Sequence, residues 1–387
     1  MSRVFGPGSR IGLMGGGQLG RMFILAARSM GYRVHVFVPE IHSPAGQLAD
    51  LEMSRDYLDE AAVREFAGGV DVLTFEFENI PRQTVEWAAE HCEVRPRGEI
   101  LHTTQNRIRE KEFLEASGIP LPAWASVCTA EDLPAALARI GYPSILKTAS
   151  FGYDGKGQKQ LKSVEDTRNL DLGAGPFVLE AKVPFVMEIS VVVARGADGR
   201  TAYYPVCENI HRNHILDTTV VPARVAPDVA ERATGLARRI AERLDLVGVM
   251  AVEMFLLADG SILVNELAPR PHNSGHFSID ACVTSQFEQQ LRAVCGLPLG
   301  APDLLRSCAM ANLLGDLWAG GEPDWAAAAA CGEVKIHLYG KAEPRPGRKM
   351  GHLTAFGATP DEALARVIAA RGALQKNGNG VRAAAKD

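Results

Sequence analysis

The feature that most constrains the fold of this 387-residue chain is a strand–helix–strand pattern near its start. Residues 11–14 form an apolar run typical of a buried strand, and a glycine-rich turn follows at residues 15–20. Residues 21–30 repeat apolar side chains at helical spacing, and residues 33–38 form a second apolar run. Two strands joined through a helix pair in parallel, so this part is predicted to fold as an open α/β sheet.

The glycine-rich turn permits two interpretations. Gly15, Gly17 and Gly20 match the pattern Gly-x-Gly-x-x-Gly, and Glu40 follows about 20 residues later, as in dinucleotide-binding units. An NAD-dependent oxidoreductase is therefore one candidate. The glycines can equally serve only to make a tight turn between strand and helix, in which case they indicate no ligand.

A further strand is predicted at residues 71–77, and two acids, Glu76 and Glu78, lie at its end. The carboxyl ends of parallel strands are where open α/β sheets bind ligands. Both acids can equally be solvated loop residues. The next helix is predicted over residues 104–117, with Arg107 and Lys111 on one face.

A second glycine-rich segment, residues 147–158, follows a short apolar strand. Its glycines let backbone N–H groups approach phosphate oxygens closely, as in other anion-binding loops. Lys147, Lys156 and Lys159 add positive charge to a chain whose net charge is -5. The spacing is not that of a P-loop. The segment is therefore either a phosphate-binding loop or a mobile surface hairpin.

Asp259 and Gly260 form the strongest short-range hairpin signal, between strands predicted at residues 249–257 and 261–267. A two-residue turn places Glu253 opposite Glu266, with Cβ atoms about 5 Å apart on one face. Like charges in that position destabilise a sheet, and a Mg²⁺ ion between the carboxylates removes the conflict. The alternative is that both acids face solvent or pair with arginine.

The segment after this hairpin is a rigid polar loop. Pro269 and Pro271 restrict its backbone, and four side chains present hydrogen-bonding groups: Arg270, His272, Asn273 and Ser274. Packing alone does not explain so polar a loop beside two acids. Further on, strands are predicted at residues 307–314 and 333–338, and a basic turn that contains two prolines follows at residues 341–349.

Composition excludes several classes of protein. The length predicts two or three domains, and an isoelectric point near 6.1 gives no indication of nucleic-acid binding. Seven scattered cysteines without Cys-x-x-Cys spacing indicate neither a disulfide framework nor a zinc site. The start has no signal-peptide pattern and no apolar run could span a bilayer, which predicts a cytoplasmic protein without a membrane partner.

Five motifs resemble those of ATP-grasp enzymes and, more closely, those of the 5-(carboxyamino)imidazole ribonucleotide synthase family. The resemblance extends over residues 12–353, nearly the whole chain, and the motifs occur in the same order. They are Gly-Gly-Gly-Gln-Leu-Gly-Arg-Met at residues 15–22, Phe-Glu-Phe-Glu-Asn at residues 75–79, Phe-Gly-Tyr-Asp-Gly-Lys-Gly-Gln at residues 151–158, and the segments 265–276 and 337–350.

The resemblance implies a fold of the α/β and α+β classes with three domains. A Rossmann-like pre-ATP-grasp domain is expected at residues 1–103, and a two-lobed ATP-grasp core at residues 104–300, with its small lobe at about residues 120–186. A small β-rich C-terminal domain is expected at residues 301–374, followed by a disordered tail at residues 375–387.

The resemblance also implies the residues of the site, with ATP as a substrate and Mg²⁺ bound by Glu253 and Glu266. The catalytic residues would be Arg270, Lys147 and Asp154. Contacts to ATP would come from Arg107, Lys147, Gly152, Tyr153, Asp154, Gly155, Lys156, Gly157, Gln158, Glu180, Ala181, Lys182, Val183, Glu188, His211, Asn265 and Glu266. Contacts to the second substrate would come from Glu76, Tyr153, Asp154, Arg270, His272, Asn273, Ser274, Lys341 and Arg348.

The implied activity is the ATP- and bicarbonate-dependent carboxylation of 5-aminoimidazole ribonucleotide, through carboxyphosphate, in purine biosynthesis. The enzymes of this family tend to be homodimers, so a homodimer is expected here. Another ATP-grasp ligase, such as a formate-dependent glycinamide ribonucleotide transformylase, is the nearest alternative. A non-catalytic ATP-binding subunit is less consistent with the sequence, because a pure binder has little need of the acid pair at Glu253 and Glu266 with Arg270 beside it.

Overall fold

The computed structural model describes residues 3–150, 152, 156–168, 170, 172–173 and 175–375. Three residues that the sequence assigns to the site, Tyr153, Asp154 and Gly155, lie outside the described residues. The predicted disordered tail also lies outside them, apart from Gln375. Among the described residues, no helix combines the length and the apolar composition that a membrane crossing requires.

The N-terminal part is a parallel five-stranded sheet with strand order β3-β2-β1-β4-β5. Residues such as Leu13, Phe23 and Val36 are buried between the sheet and its helices, which explains the apolar runs in the sequence. The prediction of an open α/β sheet is confirmed. The strands are β1 Arg10–Met14, β2 Arg33–Val38, β3 Leu51–Ser54, β4 Val72–Phe75 and β5 Glu93–Val94, and the helices are α1 Gln18–Ser29, α2 Glu60–Gly68 and α3 Arg82–Ala89.

The helix predicted over residues 104–117 is confirmed, although it begins three residues later, at Arg107, because a separate helix ends at Thr104. Helix α4 spans Gly98–Thr104 and helix α5 spans Arg107–Ala116. The Asn106 side chain accepts hydrogen bonds from the N–H groups of Ile108 and Arg109, at 3.0 and 3.2 Å, and so begins α5 as its N-cap.

A four-stranded antiparallel sheet with strand order β6-β9-β7-β8 forms the small lobe of the molecule. The only helix longer than one turn in this lobe, within the described residues, is α6, which ends at Gly141 with a φ of 77°. The elements are β6 Trp124–Val127, α6 Leu133–Ile140, β7 Ser144–Thr148, β8 Gln158–Leu161 and β9 Phe177–Ala181.

The third sheet has nine strands and continues from the large lobe into the C-terminal part. Its order is β15-β14-β10-β12-β13-β16-β18-β17, with β11 paired to β10. Helices α7 and α9 pack against it. The elements are β10 Phe185–Arg195, β11 Thr201–Tyr203, β12 Cys207–Arg212, β13 Ile215–Val221, α7 Pro227–Arg243, β14 Gly248–Leu257, β15 Ile262–Ala268, α8 Ser278–Ala281, α9 Gln286–Val294, β16 Cys308–Leu314, α10 Trp325–Ala329, β17 Val334–Leu338, β18 Lys349–Phe356 and α11 Pro360–Ala373.

The β14–β15 hairpin pairs Glu253 with Glu266, as predicted, but by a different route. The turn has three residues, because the N–H of Leu257 donates to the carbonyl of Ser261. The pairs next to the turn are therefore shifted by one residue from the predicted register. A bulge on β15, where Asn265 is the extra residue, restores the register at the two acids.

Candidate active site

The candidate active site is a cleft to which all parts of the molecule contribute. The nine-stranded sheet contributes acids from β10, β14 and β15, and the small lobe contributes Lys147 from the end of β7. Helix α5 begins beside Lys147, since the N–H of Arg107 donates to the carbonyl of Ala149 at 2.8 Å. The glycine-rich turn of the N-terminal sheet and the C-terminal segment 339–349 also contribute, since Glu76, which binds the turn, is affected by the charges of Arg270 and Lys341.

One carboxylate in the small lobe is shared between two lysines. The Glu180 side chain places Oε2 at 2.8 Å from Lys147 Nζ and Oε1 at 3.1 Å from Lys111 Nζ. Burial disfavours the carboxylate, but the two ammonium groups outweigh this effect and lower the pKa of Glu180 to about 2. Burial also lowers the pKa of Lys147, against the attraction of Glu180. The Glu180 side chain is therefore fully engaged in ion pairs.

The two opposed acids of the hairpin differ in their surroundings. Glu266 Oε2 lies 3.2 Å from Arg107 Nη1, and Glu253 Oε1 lies 3.2 Å from His272 Nε2. Burial opposes ionisation of Glu266, but Arg107 and Lys147 outweigh it and lower the pKa. For Glu253, burial and the charge of Glu266 raise the pKa to about 7. One acid is thus held as a carboxylate, while the other is close to protonation at neutral pH.

A third acid on the same sheet pairs with a histidine. His211 Nδ1 lies 2.9 Å from Glu188 Oε2. Burial disfavours the imidazolium, but Glu188 outweighs it and raises the pKa of His211. On the bulge of β15, the buried Oδ1 of Asn265 has no hydrogen-bond partner within the described part of the chain. The structure thus brings these three predicted nucleotide contacts to the same sheet as the acid pair.

The polar loop after β15 is fixed by its own hydrogen bonds. His272 Nδ1 accepts from the Ser274 N–H at 3.3 Å, so the neutral ring carries its proton on Nε2, which lies 3.2 Å from Glu253 Oε1. Burial and the charge of Arg270 hold the pKa of His272 well below its usual value. Across the described residues, the amide oxygen and nitrogen of Asn273 are buried without a partner. A buried amide in that state is typical of a ligand site.

Arg270 pairs with an acid to which the sequence assigned no role. Its Nη2 donates to Glu78 Oε1 at 2.9 Å. Burial disfavours the guanidinium, but Glu78 outweighs this effect and raises the pKa of Arg270. The motif Glu76-Phe77-Glu78 indicated an acid at this sheet edge, and the structure shows that the second acid, not the first, reaches Arg270 directly.

Glu76 points into the glycine-rich turn. Its Oε1 accepts from the Gly17 N–H at 2.8 Å and its Oε2 accepts from the Gly20 N–H at 3.2 Å. Burial raises the pKa of Glu76, although these amides and the charges of Arg270 and Lys341 oppose the rise. The carboxylate occupies the start of α1, where a dinucleotide site would hold its pyrophosphate. The dinucleotide interpretation of this turn is therefore wrong.

The C-terminal segment lies against the N-terminal domain. The Gln47 side chain donates to the carbonyl of Gly340 at 2.9 Å, and the charge of Lys341 reaches Glu76. Lys341 Nζ donates to the carbonyl of Lys349 at 2.7 Å. The sequence missed Lys349, whose charge acts on Glu253, His211 and His272. Arg348 lies further out and donates to the carbonyl of Glu343 at 2.8 Å.

The described residues of the second glycine-rich segment lie beside Thr148. Gly157 has a φ of 75°, and a Cβ atom there would meet Thr148 Oγ1 at 2.5 Å. The corresponding distance for Gly152 is 3.2 Å, so the chain passes close to the end of β7 twice. Gln158 Nε2 is 3.3 Å from His214 Nδ1 in the β12–β13 turn. Lys156 is exposed.

The segment predicted to hold adenine joins the two lobes. The N–H of Ala181 donates to the carbonyl of Ala123 at 2.8 Å, and that of Lys182 donates to the carbonyl of Pro143 at 3.0 Å. Both donors are therefore engaged inside the small lobe. An adenine bound at this segment would therefore hydrogen-bond to the backbone N–H of Val183 and to backbone carbonyl oxygens.

Comparison with known proteins gives one consistent family. Residues 9–105 match the ribonucleotide synthetase preATP-grasp domain, residues 112–287 the ATP-grasp domain, and residues 308–366 the phosphoribosylaminoimidazole carboxylase C-terminal domain. The N5-carboxyaminoimidazole ribonucleotide synthase of Bacillus subtilis is 46% identical over 363 residues, which cover 93% of this chain and 94% of that protein. That of Brucella melitensis is 43% identical over 353 residues, covering 90% and 96%.

The chain belongs to the N5-carboxyaminoimidazole ribonucleotide synthase family. The resemblance found in the five motifs is thus confirmed, together with the predicted architecture. A solved synthetase of this family in complex with ADP superposes with a TM-score of 0.91 at 44% identity and covers 96% of this chain and 98% of that one. An Aspergillus clavatus synthase in complex with ADP and 5-aminoimidazole ribonucleotide gives 0.86 at 33% identity, covering 95% and 98%.

The candidate metal ligands in this cleft, the carboxyl groups of Glu253 and Glu266, are of the kind that Mg²⁺ prefers. Within the described residues, no group of three or more His, Cys, Asp and Glu side chains could hold a metal ion. Mg²⁺ needs fewer protein ligands, since it commonly takes one or two carboxylates and completes its shell with phosphate oxygens and water. The opposed carboxyl groups of Glu253 and Glu266 meet that requirement, and a cation beside them removes the repulsion that raises the pKa of Glu253.

Proposed function

We propose that this chain carboxylates 5-aminoimidazole ribonucleotide to N5-carboxyaminoimidazole ribonucleotide at the expense of ATP, with bicarbonate as the source of the carboxyl group. One observation carries the proposal: a relative with a TM-score of 0.86 over 95% of the chain holds ADP and 5-aminoimidazole ribonucleotide together. The cleft described above supports the proposal, because it contains cations that can bind phosphate groups, together with Arg270 and the polar loop that follows it.

The nucleotide would lie between the small lobe and the nine-stranded sheet. Lys147 and Arg107 would contact its phosphates, because both cations are half-buried beside the cleft, where each is ion-paired to a carboxylate. Glu188 and His211 lie on the sheet opposite, where the ribose hydroxyls would find an acceptor and a donor. Segment 180–183 would contact adenine through its backbone, because the Glu180 side chain is occupied by two lysines.

Glu253 and Glu266 would hold Mg²⁺ together with phosphate oxygens. When bound, the ion offsets the negative charge that the transferring phosphoryl group develops. Glu266 is ionised before the ion arrives because Arg107 and Lys147 lower its pKa. His272 holds the Glu253 carboxyl in position, and the charge of Lys349 acts on it.

In the first step, a bicarbonate oxygen attacks the γ-phosphorus of ATP, and ADP leaves as carboxyphosphate forms. Arg270 would hold the bicarbonate, because a guanidinium presents two parallel donors to a planar oxyanion. Glu78 fixes this guanidinium from one side. The unpartnered amide of Asn273, whose residue is 7% exposed, would supply a further polar contact.

In the second step, the exocyclic amine of the ribonucleotide forms a C–N bond with the carboxyl carbon, and inorganic phosphate leaves with the C–O bond electrons. The amine loses one proton to solvent or to phosphate. Water hydrolyses carboxyphosphate, so the cleft must exclude water during both steps. Closure of segment 151–158 over the nucleotide would provide this exclusion.

The second substrate would extend toward the C-terminal segment. Lys341 belongs to that segment and its charge acts on Glu76 at the start of α1, and Arg348 follows on the same turn. The 5′-phosphate of a ribonucleotide is a dianion that such cations would bind. The homodimer remains a prediction from the family resemblance, and the cytoplasmic location remains a prediction from the sequence pattern.

The proposal is tested by phosphate release from Mg·ATP with bicarbonate, measured with and without 5-aminoimidazole ribonucleotide. We expect release to depend on bicarbonate and to rise when the ribonucleotide is present, with one N5-carboxyaminoimidazole ribonucleotide formed per phosphate. Glycinamide ribonucleotide with formate serves as the control pair of substrates. Turnover with that pair alone, or ATP hydrolysis that is indifferent to the ribonucleotide, would contradict the proposed activity.

A further inference from the structure

Helix α5 carries a lysine that is too deeply buried to touch any substrate. Lys111 is 1% exposed and its Nζ lies 3.1 Å from Glu180 Oε1. Lys147, on the other oxygen of the same carboxylate, has a side chain that is 13% exposed and faces the cleft. A buried ammonium group is costly unless it is paired. The position of Lys111 therefore needs a reason beyond packing.

The charges in this cluster leave one positive charge unbalanced. Glu180 supplies one negative charge, while Lys111 and Lys147 supply two positive charges within 3.1 Å of it. Because Lys111 neutralises the carboxylate, the charge of Lys147 remains available to a ligand phosphate. Without Lys111, the carboxylate would cancel the charge of Lys147, and the pair would present no net charge to the cleft.

The same helix turn carries the second cation of the nucleotide site. Arg107 and Lys111 are four residues apart and so lie on one face of α5. Arg107 pairs with Glu266 of the large sheet, and Lys111 pairs with Glu180 of the small lobe. The helix is thus connected to one carboxylate in each lobe, and it begins against the small lobe at Ala149.

We infer that Lys111 is a positioning residue for ATP: it holds Glu180 in place and neutralises it, so that Lys147 can present its charge to a phosphate group. This inference rests on the proposed role of Lys147 in ATP binding. In this inference, the Glu180 side chain acts through the two lysines and does not contact adenine.

The first test compares Lys111→Met with the parent chain by calorimetric titration of Mg·ATP and by the separate KM values for ATP and for 5-aminoimidazole ribonucleotide. We expect ATP affinity to fall about tenfold to a hundredfold, because a charge-assisted contact is lost, with little change in the KM of the ribonucleotide. Lys111→Arg, which keeps the charge, should recover most of the affinity. If Lys111→Met does not fold, Lys111→Gln takes its place with the same expected loss.

The decisive comparison is a double substitution. In Lys111→Met with Glu180→Gln, Lys147 again carries an unbalanced positive charge, so ATP should bind more tightly than to Lys111→Met alone. A purely structural role for Lys111 predicts the opposite, since a second buried group would be lost. Equal or weaker ATP binding by the double variant would overturn the inference.

Two controls separate the possible failures. Arg371→Met breaks another, half-buried ion pair, between Arg371 in the C-terminal part and Asp217 on β13, and should lower the melting temperature without changing ATP affinity. Lys147→Met tests the proposed function itself. If Lys147→Met leaves ATP affinity unchanged, the assignment of the phosphate site fails. If Lys147→Met weakens ATP binding and Lys111→Met does not, only the present inference fails.

Discussion

At the scale of single residues, the site is organised by two carboxyl groups that differ in their affinity for protons. Glu266 is ionised because Arg107 and Lys147 outweigh its burial, whereas burial and Glu266 raise the pKa of Glu253 to about 7. Glu266 is therefore negatively charged, whereas Glu253 becomes negatively charged only when it loses its proton. A bound cation favours that departure, so metal binding and proton release at Glu253 are linked.

Replacing Glu266 with Gln should reduce the rate of turnover by about two orders of magnitude or more. It should also remove the stabilisation that Mg²⁺ adds to the ADP-bound protein. The physical reason is the loss of the one metal ligand that is ionised in advance. The melting temperature with ADP, with and without Mg²⁺, measures the effect independently of catalysis.

Glu208→Gln is the matched control for this experiment. It also removes a sheet carboxylate paired to an arginine, Arg224, but the Glu208 side chain points to the other face of the sheet. A Glu266→Gln protein that keeps its activity and gains thermal stability would show that the acid pair is an uncompensated repulsion and not a metal site.

The raised pKa of Glu253 predicts a pH dependence of stability. Between about pH 4.5 and pH 7 the folded protein retains this proton and the unfolded chain releases it, so the free energy of unfolding falls as pH rises through the window. Glu253→Gln should remove this contribution, by up to ~3 kcal/mol across the window. Urea unfolding of both proteins at several pH values measures the difference.

Other buried acids, Glu76 and Glu110, also have a raised pKa and contribute the same sign in both proteins. The comparison therefore concerns the difference between the two curves and not their absolute slopes. Parallel curves for the parent and the variant would mean that the pKa of Glu253 is not raised by folding.

The sequence predicted the types of residue in the cleft better than their partners. The acids after β4 were expected at a ligand-binding edge, yet only the structure shows that Glu76 binds the glycine turn and that Glu78 binds Arg270. Lys111 was placed on the face of Arg107 by helical spacing, but nothing local identifies Glu180 as its partner. Such pairings depend on how separate elements pack, which periodicity does not report.

At the scale of elements, the β14–β15 hairpin shows how a correct contact can follow from an incorrect turn. The pair Asp259 and Gly260 predicted a two-residue loop, but Gly260 has a φ of 82° and completes a three-residue loop. The bulge at Asn265 compensates by one residue. Bulges respond to the twist of the neighbouring strands, so a hairpin sequence alone does not reveal them.

The break between α4 and α5 has a local cause that the sequence did contain. Asn is among the preferred N-cap residues, and Asn106 caps α5 in the structure. The helix was predicted to begin at residue 104, which is instead the last residue of α4. The cap matters for the site, because it begins α5 at Arg107 and so places that guanidinium beside Glu266.

The segment after β7 yields a prediction about backbone geometry. Gly157→Ala should reduce kcat/KM for ATP by about tenfold or more, because Ala tolerates a φ of 75° poorly and its Cβ would meet Thr148 Oγ1 at 2.5 Å. Steady-state kinetics with ATP as the varied substrate measure the effect.

Gly141→Ala is the control in the same lobe. Gly141 has a φ of 77°, and a Cβ there meets nothing within 4 Å. This variant should share the backbone strain and lose some stability while ATP kinetics change little. Similar kinetic losses in both variants would attribute the effect to general strain in the small lobe.

At the scale of the whole molecule, the site is completed by chain segments far apart in sequence. The C-terminal segment reaches back to the N-terminal domain, where Gln47 holds Gly340 and the charge of Lys341 acts on Glu76. Motif order in the sequence indicated that these parts belong to one enzyme. It did not indicate that Lys341 and the glycine-rich turn are neighbours.

Lys341→Ala should raise the KM for 5-aminoimidazole ribonucleotide and leave the KM for ATP nearly unchanged. A lost charge-assisted contact of roughly 1.5–3 kcal/mol corresponds to a decrease of about one to two orders of magnitude in kcat/KM for the ribonucleotide. The variant should also discriminate less against the unphosphorylated nucleoside. Initial-rate kinetics with each substrate varied in turn measure both effects.

Lys335→Ala, an exposed lysine on β17 in the same part of the chain, is the control and should be neutral. An equal rise in both KM values for Lys341→Ala would mean that the substitution disturbs the cleft as a whole. An unchanged KM for the ribonucleotide would place the substrate phosphate elsewhere.

The continuity of the nine-stranded sheet has a consequence for how the chain can be divided. Strand β13 pairs with β12 on one side and with β16 on the other, from Thr218 opposite Ala311 to Val221 opposite Cys308. A truncation before β16 would therefore uncover a long edge rich in β-branched residues, with open N–H and C=O groups. Such an edge pairs with strands from other molecules, so a fragment that ends with the ATP-grasp match, at residue 287, would aggregate.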